Sequence, residues 1–153
     1  MSDMAGAIDH GNRAPVVEGL LDTCSDEGRL IGTRCMACAT LYYPRSRGCR
    51  NPECDSSTLC EEMLSEYGIL LSYTVQHYQP PPLYRVDDWG PYAIGLLDFG
   101  DGLHVMGKLA AIPVSLSVIG RRYCVGAERL YVDEQGVERW APVFRLHNRG
   151  AAT

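Results

Sequence analysis

Alternation of apolar and polar positions dominates the second half of the chain. Residues 68–78 form a long β pattern, and residues 92–99 a second one. Gly100, Asp101 and Gly102 read as a tight turn, after which residues 103–109 pair back as a hairpin. Residues 121–132 alternate as a fourth strand. Residues 133–136 turn the chain, and residues 137–146 close with a fifth. The stretch QPPPLYRVDDWGP is irregular, because Pro80, Pro81 and Pro82 carry no backbone donor. Five strands joined by glycine turns predict a small closed barrel, and the OB-fold is the simplest of these. A Greek-key sandwich is the competing topology.

The first half is patterned differently. Val16, Val17, Leu20 and Leu21 recur at helical spacing, and Pro15 suits a first helical position, so residues 15–26 predict a short helix. LIGTRC and MACATLYYPR predict two short strands around a knuckle. CRNPEC predicts a second knuckle, bent at Asn51-Pro52. The expected fold is therefore mainly β: an N-terminal helical lead and a zinc ribbon, then a five-stranded OB-fold barrel. The expected divisions are 1–28 (tail and short helix), 29–62 (ribbon), 63–147 (OB-fold) and 148–153 (tail).

Composition narrows the function. The chain of 153 residues is 46% hydrophobic and carries a net charge of −5. Attraction to nucleic acid or an anionic membrane is not its default. The start MSDMAGAIDHGN lacks the basic and apolar run of a signal peptide, and no stretch approaches a membrane span. The expected compartment is the cytoplasm, where thiols stay reduced. Residues 1–28 hold six acids against Arg13, whereas residues 29–54 hold five arginines against Glu53 alone. That middle segment is where an anionic ligand is best received.

Seven cysteines in a reducing compartment, four of them within twenty residues, point to metal before disulfides. Cys35-x2-Cys38 and Cys49-x4-Cys54 supply two knuckles with two thiolates each, which is what a tetrahedral Zn²⁺ requires. Four thiolates leave no open position for a catalytic water, so the expected zinc is structural. A redox CxxC is the alternative, but it expects a flanking βαβ unit that the pattern lacks. The second gap is wider than the usual two residues, which keeps Cys60 as a possible substitute for Cys54. Cys24 and Cys124 read as buried thiols. His10, His77, His104 and His147 are scattered, and no nucleophile–base pair, phosphate loop or paired carboxylate stands out.

The order GTRCMACATLYYPRSRGCRNPEC, GILLSYTVQHYQPPP, PYAIGLLDFGDGLHVMGKL resembles the acyl-CoA-associated family with a rubredoxin-like zinc ribbon followed by an OB-fold. The resemblance spans roughly residues 16–147. It rests on Tyr43-Pro44-Arg45 after the first knuckle, the Gly-x-Leu-x-Ser-Tyr-Thr strand, the proline cluster and the Pro-Tyr-x-Ile-x-Leu hairpin. It implies a non-catalytic subunit of a thiolase-superfamily complex acting on acyl-CoA thioesters, with a thiolase-like catalytic partner. The small subunits of steroid side-chain aldolases and of benzoylsuccinyl-CoA thiolase are of this kind. The CRNPEC spacing departs from the family pattern, and the absence of a fused hydratase domain implies a separate small subunit.

Against this background Arg45, Arg47 and Arg50, with Tyr43, are candidates for CoA, guanidinium groups being bidentate partners of phosphate. Tyr42 and Tyr43 are candidates to flank the adenine. A solvated face, or acidic residues of a partner, accounts for the same arginines equally well. Tyr84 and Trp89 in the proline-rich loop are the candidate partner anchors. A single-stranded nucleic-acid-binding module is the alternative function, since ribbons and OB-folds both do that work. Net acidity and the lack of a basic stripe stand against it.

Overall fold

The computed structural model describes residues 12–22, 28–54, 58–86 and 88–147. Its strands run in chain order as β1 (Arg13–Pro15), β2 (Leu21–Asp22), β3 (Arg29–Cys35), β4 (Leu41–Tyr42) and β5 (Leu59–Met63). They continue as β6 (Tyr67–Gln76), β7 (Tyr92–Asp98), β8 (His104–Leu109), β9 (Arg122–Val132) and β10 (Glu138–Leu146).

The last five strands are the five that alternation predicts. They close on themselves: β7 lies between β6 and β8, β10 pairs with both β8 and β9, and β9 returns to β6. The parallel β8–β10 pairing and the closing β6–β9 pairing make one five-stranded OB barrel instead of a two-sheet sandwich. Along β7 buried and half-buried positions alternate strictly, which turns Ala93 and Leu97 inward. Leu70, Leu97, Leu109 and Phe144 fill the interior. Gly95 and Gly107 face each other across β7 and β8 because a Cβ on either would overlap those side chains, the Phe144 ring at Gly107 and Leu70 with Leu109 at Gly95. The turn after β7 runs through Gly100, Asp101 and Gly102, all at positive φ, and the Leu103 amide closes it on the Gly100 carbonyl.

The ribbon is a smaller sheet with β3 at its centre, flanked by β2 and β4 along one edge and by β5 along the other. Leu30, Leu41 and Leu64 belong to the same continuous cluster as the barrel core, so the two parts share one apolar interior.

The helix expected over 15–26 is not formed, and residues 23–26 of that span lie outside the described residues. β1 instead runs parallel to β10, and the Val16 amide donates to the Trp140 carbonyl at 2.6 Å. Gly19 then takes φ +78° inside a Val17–Leu20 turn. Val16, Leu20 and Leu21 are buried as the spacing suggests, but around a turn instead of a helix. Backbone pairing with β10 and a left-handed glycine outweigh a weak helical pattern here.

One side chain joins the parts. Arg34 on β3 forms a bidentate pair with Glu62 on β5, at 2.8 and 2.7 Å. It also donates to the Ala39 carbonyl at 2.9 Å and reaches Asp101 in the β7–β8 turn at 3.1 Å. The guanidinium holds the Glu62 carboxyl below the usual carboxylate range. A depressed carboxylate contributes stability above its unfolded pKa and loses it as pH falls through the folded one. Arg34→Ala is therefore expected to cost about 1 kcal/mol, the pair being partly exposed, or about 2–4 °C in Tm at neutral pH. The deficit should narrow as the pH falls below the ordinary glutamate range and through the depressed folded pKa of Glu62. Thermal melts of both proteins across that range check this, and a pH-independent deficit would point to lost packing alone.

Candidate metal centre and neighbouring surfaces

β3 delivers Cys35 at its last residue, and the chain folds back at once. The Cys35 amide donates to the Thr40 carbonyl and the Ala39 amide to the Cys35 carbonyl, both at 2.9 Å. Ala39 supplies the left-handed residue that this knuckle needs, at φ +64°. In the second knuckle Asn51 opens the turn. Its carbonyl accepts the Cys54 amide at 3.0 Å, and its side-chain oxygen accepts the Glu53 amide at 3.1 Å. The two additional residues of the x4 spacing are absorbed in that turn.

The Sγ atoms of Cys35, Cys38, Cys49 and Cys54 all lie within 4.8 Å of one another. The closest approaches are between knuckles, 3.7 Å for Cys35–Cys54 and 3.6 Å for Cys38–Cys49. A tetrahedral ZnS₄ unit with bonds near 2.3 Å has sulfur–sulfur edges of about 3.8 Å, so the donor set fits zinc in kind and size. Local donors favour the ligating thiolate form. The Thr40 hydroxyl and amide draw the Cys38 thiol down to about 6. The amides of Cys38 and Ala37 draw Cys35 below its usual range.

Tyr42 and Thr40 are the residues that spacing alone does not reveal. The Thr40 hydroxyl lies 3.0 Å from Cys38 Sγ. The buried Tyr42 places its hydroxyl 3.3 Å from Cys49 Sγ, and the hydrogen bond to that sulfur, with burial, holds the phenol above its usual range. Cys60 is exposed on β5 and outside the cluster. Cys124 is half-buried with its sulfur 3.7 Å from His147 Nδ1. Cys24 and His10 lie outside the described residues. His77 and His104 are exposed.

The other candidate residues do not form one group. Arg45 pairs with Glu61 and packs on Gly19. Arg50 stacks on the Tyr42 ring with 5.0 Å to its centroid. Arg47 is exposed and borders, with Arg45, Ser46 and Glu18, a cavity of about 530 Å³ that Arg50 does not line. Tyr43 donates its hydroxyl to the Leu20 carbonyl at 3.1 Å, and burial holds its phenol well above its usual range.

Tyr84 and Trp89 are each more than a third exposed, on the loop that covers β7 and β8. Tyr131 anchors that loop through a bond to the Leu83 carbonyl and a stack under Arg85. Beneath the loop runs a groove of about 970 Å³, lined by Tyr43 and Pro44 of the ribbon and by Tyr84, Trp89 and Met106 among others. Its one lysine, Lys108, is paired with Glu128 at 3.0 Å. The groove ends at Ala110–Ile112, where the β8–β9 connection begins. Ile112, Val114, Leu116 and Ile119 all project from that connection, Val114 fully exposed. No helix among the described residues is long and apolar enough to cross a membrane.

Comparison with known proteins matches the ribbon and the barrel to two models of one family. Residues 26–59 match the family described as "ChsH2, rubredoxin-like zinc ribbon domain", and residues 61–122 match "ChsH2, C-terminal OB-fold domain". The chain is 33% identical over 81 residues to a "DUF35 domain-containing scaffold protein" of Methanocaldococcus jannaschii, covering 52% of this chain and 54% of the relative. It is 30% identical over 92 residues to a "Probable enoyl-CoA hydratase alpha subunit" of Thermomonospora curvata, covering 60% of this chain and 27% of the relative. The chain thus spans about half of the first relative and about a quarter of the second. Among solved structures, the "Ltp2-ChsH2(DUF35) aldolase" superposes with a TM-score of 0.56 at 29% identity, over 77% of this chain and 84% of that one.

If the four sulfurs hold the metal, Cys35→Ser or Cys49→Ser should lose most bound zinc and loosen the ribbon, because ligation and folding are coupled in so small a unit. Cys60→Ser and Cys124→Ser should keep one zinc per chain. Elemental analysis of the purified proteins reads this directly, and a Cys49→Ser protein with full zinc content would remove Cys49 from the ligand set.

Proposed function

The chain belongs to the ChsH2/DUF35 family, a zinc ribbon followed by an OB-fold, and from that membership we propose that it is a non-catalytic subunit of a thiolase-superfamily complex acting on acyl-CoA thioesters. Its ribbon holds one structural Zn²⁺ on Cys35, Cys38, Cys49 and Cys54. Its barrel docks the catalytic partner and helps receive the CoA thioester. Relatives named as a scaffold protein, an aldolase and an enoyl-CoA hydratase subunit support the acyl-CoA setting.

The observation that carries the docking role is the β8–β9 connection. From Leu109 to Ile119 it contains no charged residue, and it displays Ile112, Val114 and Leu116 to solvent. It is held in place, with Val118 buried, Ser115 capping a short 3₁₀ turn and the Gly120 amide bonded to the Leu70 carbonyl. An ordered, apolar, exposed loop beside an apolar groove is the signature of a protein contact. The groove joins it to Tyr84 and Trp89, so the docking surface runs from the proline-rich loop to Leu116. A single-stranded nucleic acid suits this face poorly, since the groove is largely apolar and Lys108 is neutralised by Glu128.

Pull-down from the source organism followed by mass spectrometry should recover a thiolase-like protein in stoichiometric amount. With that partner, Trp89→Ala and Leu116→Asp should each weaken binding by about 2 kcal/mol or more while melting as the wild type does. Calorimetry returning unchanged affinity for both variants would remove this surface from the interface.

For the CoA thioester we place the phosphates at the ribbon cavity, against Arg47 and Arg45. Arg47→Ala in the assembled complex should raise KM for the CoA substrate several-fold and leave kcat nearly unchanged, because these contacts lie far from the reacting carbon. The effect should fall at high salt. Unchanged KM in Arg45/Arg47 double variants that still bind the partner would rule the cavity out.

A further inference from the structure

We infer that Tyr42 is the positioning residue of the metal centre: it donates its hydroxyl proton to Cys49 Sγ, is itself aimed by Arg50, and thereby sets how firmly the tetrathiolate keeps its metal. The inference rests on the reading of the four cysteines as a zinc site.

The direction of the proton follows from counting donors. The Arg50 amide donates to the Tyr42 oxygen at 2.7 Å. The phenol has a single proton, and Cys49 Sγ at 3.3 Å is the acceptor on the other side of that oxygen. A relay results, from the Arg50 amide to the Tyr42 oxygen and from the Tyr42 hydroxyl to the Cys49 sulfur. The Arg50 guanidinium stands 5.0 Å from the centroid of the same ring, so one residue grips both the oxygen and the face of Tyr42. Tyr42 is 9% exposed and lies on β4 opposite Thr33, which fixes the ring against the ribbon core. Arg50 follows Cys49 directly, so the relay closes a loop on the second knuckle.

The chemistry explains why such a donor matters. Four thiolates around Zn²⁺ leave a net charge of −2 in a partly buried site. Each hydrogen bond to sulfur draws off part of that charge and holds the sulfur at its corner. Outer-shell partners of this kind typically change metal affinity 10- to 100-fold when removed. Tyr42 shares this role with Thr40, which serves Cys38. Tyr42 couples it to the second knuckle through both Cys49 and the Arg50 amide, where the x4 spacing makes the turn longer.

The test uses the full chain, purified with zinc and also reconstituted with Co²⁺. Tyr42→Phe keeps the ring and the arginine stack and removes only the hydroxyl. Zinc release to a chromophoric chelator should become about ten-fold faster. The sulfur-to-cobalt charge-transfer band should move to longer wavelength, because an unbonded thiolate is more electron-rich. Tyr43→Phe, whose hydroxyl serves the Leu20 carbonyl instead, should leave the band in place. Should Tyr42→Phe fail to fold, site-specific 3-fluorotyrosine at position 42 is the second variant; its more acidic hydroxyl should shift the band to shorter wavelength. Tyr42→Phe with wild-type release and an unmoved band overturns the inference while leaving the zinc site standing. A wild-type protein that binds neither zinc nor Co²⁺ through four sulfurs overturns both.

Discussion

Four sulfurs brought within 4.8 Å of one another are the constraint on which the ribbon depends. As thiolates they repel, and a small segment buries too little apolar surface to overcome that repulsion by itself. Leu21, Leu30, Leu41 and Leu64 are the aliphatic side chains that this sheet and its flank send into the common core. A divalent cation at the centre would turn that repulsion into attraction. The backbone is laid out accordingly. Ala39 accepts a left-handed conformation and Asn51 commits its carbonyl and side chain to a turn, in each case to bring a cysteine to a corner. Strain and hydrogen bonding are spent near the sulfurs, where ligation can compensate for them.

From that fixed point the geometry passes outward in steps. β3 leads into the first knuckle, and Arg34 on the same strand ties it to β5 and to the barrel turn at Asp101. β4 leads out of it, and the next residues, Tyr43 and Pro44, form a wall of the barrel groove. The ribbon is thus a bracket that sets one side of the groove, while the barrel strands β7 and β8 set its floor. A groove assembled from two parts changes shape if either moves, so its shape depends on the apolar core they share and on the Arg34 cluster.

What was legible in the sequence was what is local. The barrel strands alternate over six to eleven residues, and β7 and β9 end in glycine-containing acidic turns, so period two and turn chemistry locate the strands within a residue or two. The metal cluster follows from spacing, since each knuckle closes over a few residues. β5 was not legible: LCEEM has no apolar face, and it is a strand because β3 needs an edge partner and Arg34 a carboxylate. The N-terminal helix misled for the same reason in reverse, its apolar spacing being satisfied by a turn once β10 captures β1. Arg34 is one of the five arginines of the ribbon segment, and its partner Asp101 lies 67 residues away, beyond the reach of local pattern. Nor does the sequence disclose that Arg45, Arg47 and Arg50 face different neighbours. Arginines two and three residues apart diverge when a knuckle turns the chain between them.

That divergence bears on how an acidic protein handles an anionic ligand. Of the five arginines in the ribbon segment, Arg29 meets Glu66, Arg34 meets Glu62 and Asp101, and Arg45 meets Glu61. Arg50 is drawn toward the Tyr42 ring. Most of the apparent positive patch is therefore internal compensation. A phosphate at the ribbon cavity, as proposed, would meet Arg47 directly and compete with Glu61 for Arg45, so its binding would depend on short-range geometry. On the proposed reading, the ligand would be presented by a partner already holding the rest of the molecule. Tight capture from solution by the ribbon alone would hold the CoA moiety back from that partner, whereas an exposed Arg47 at the rim would steady the phosphates without retaining them.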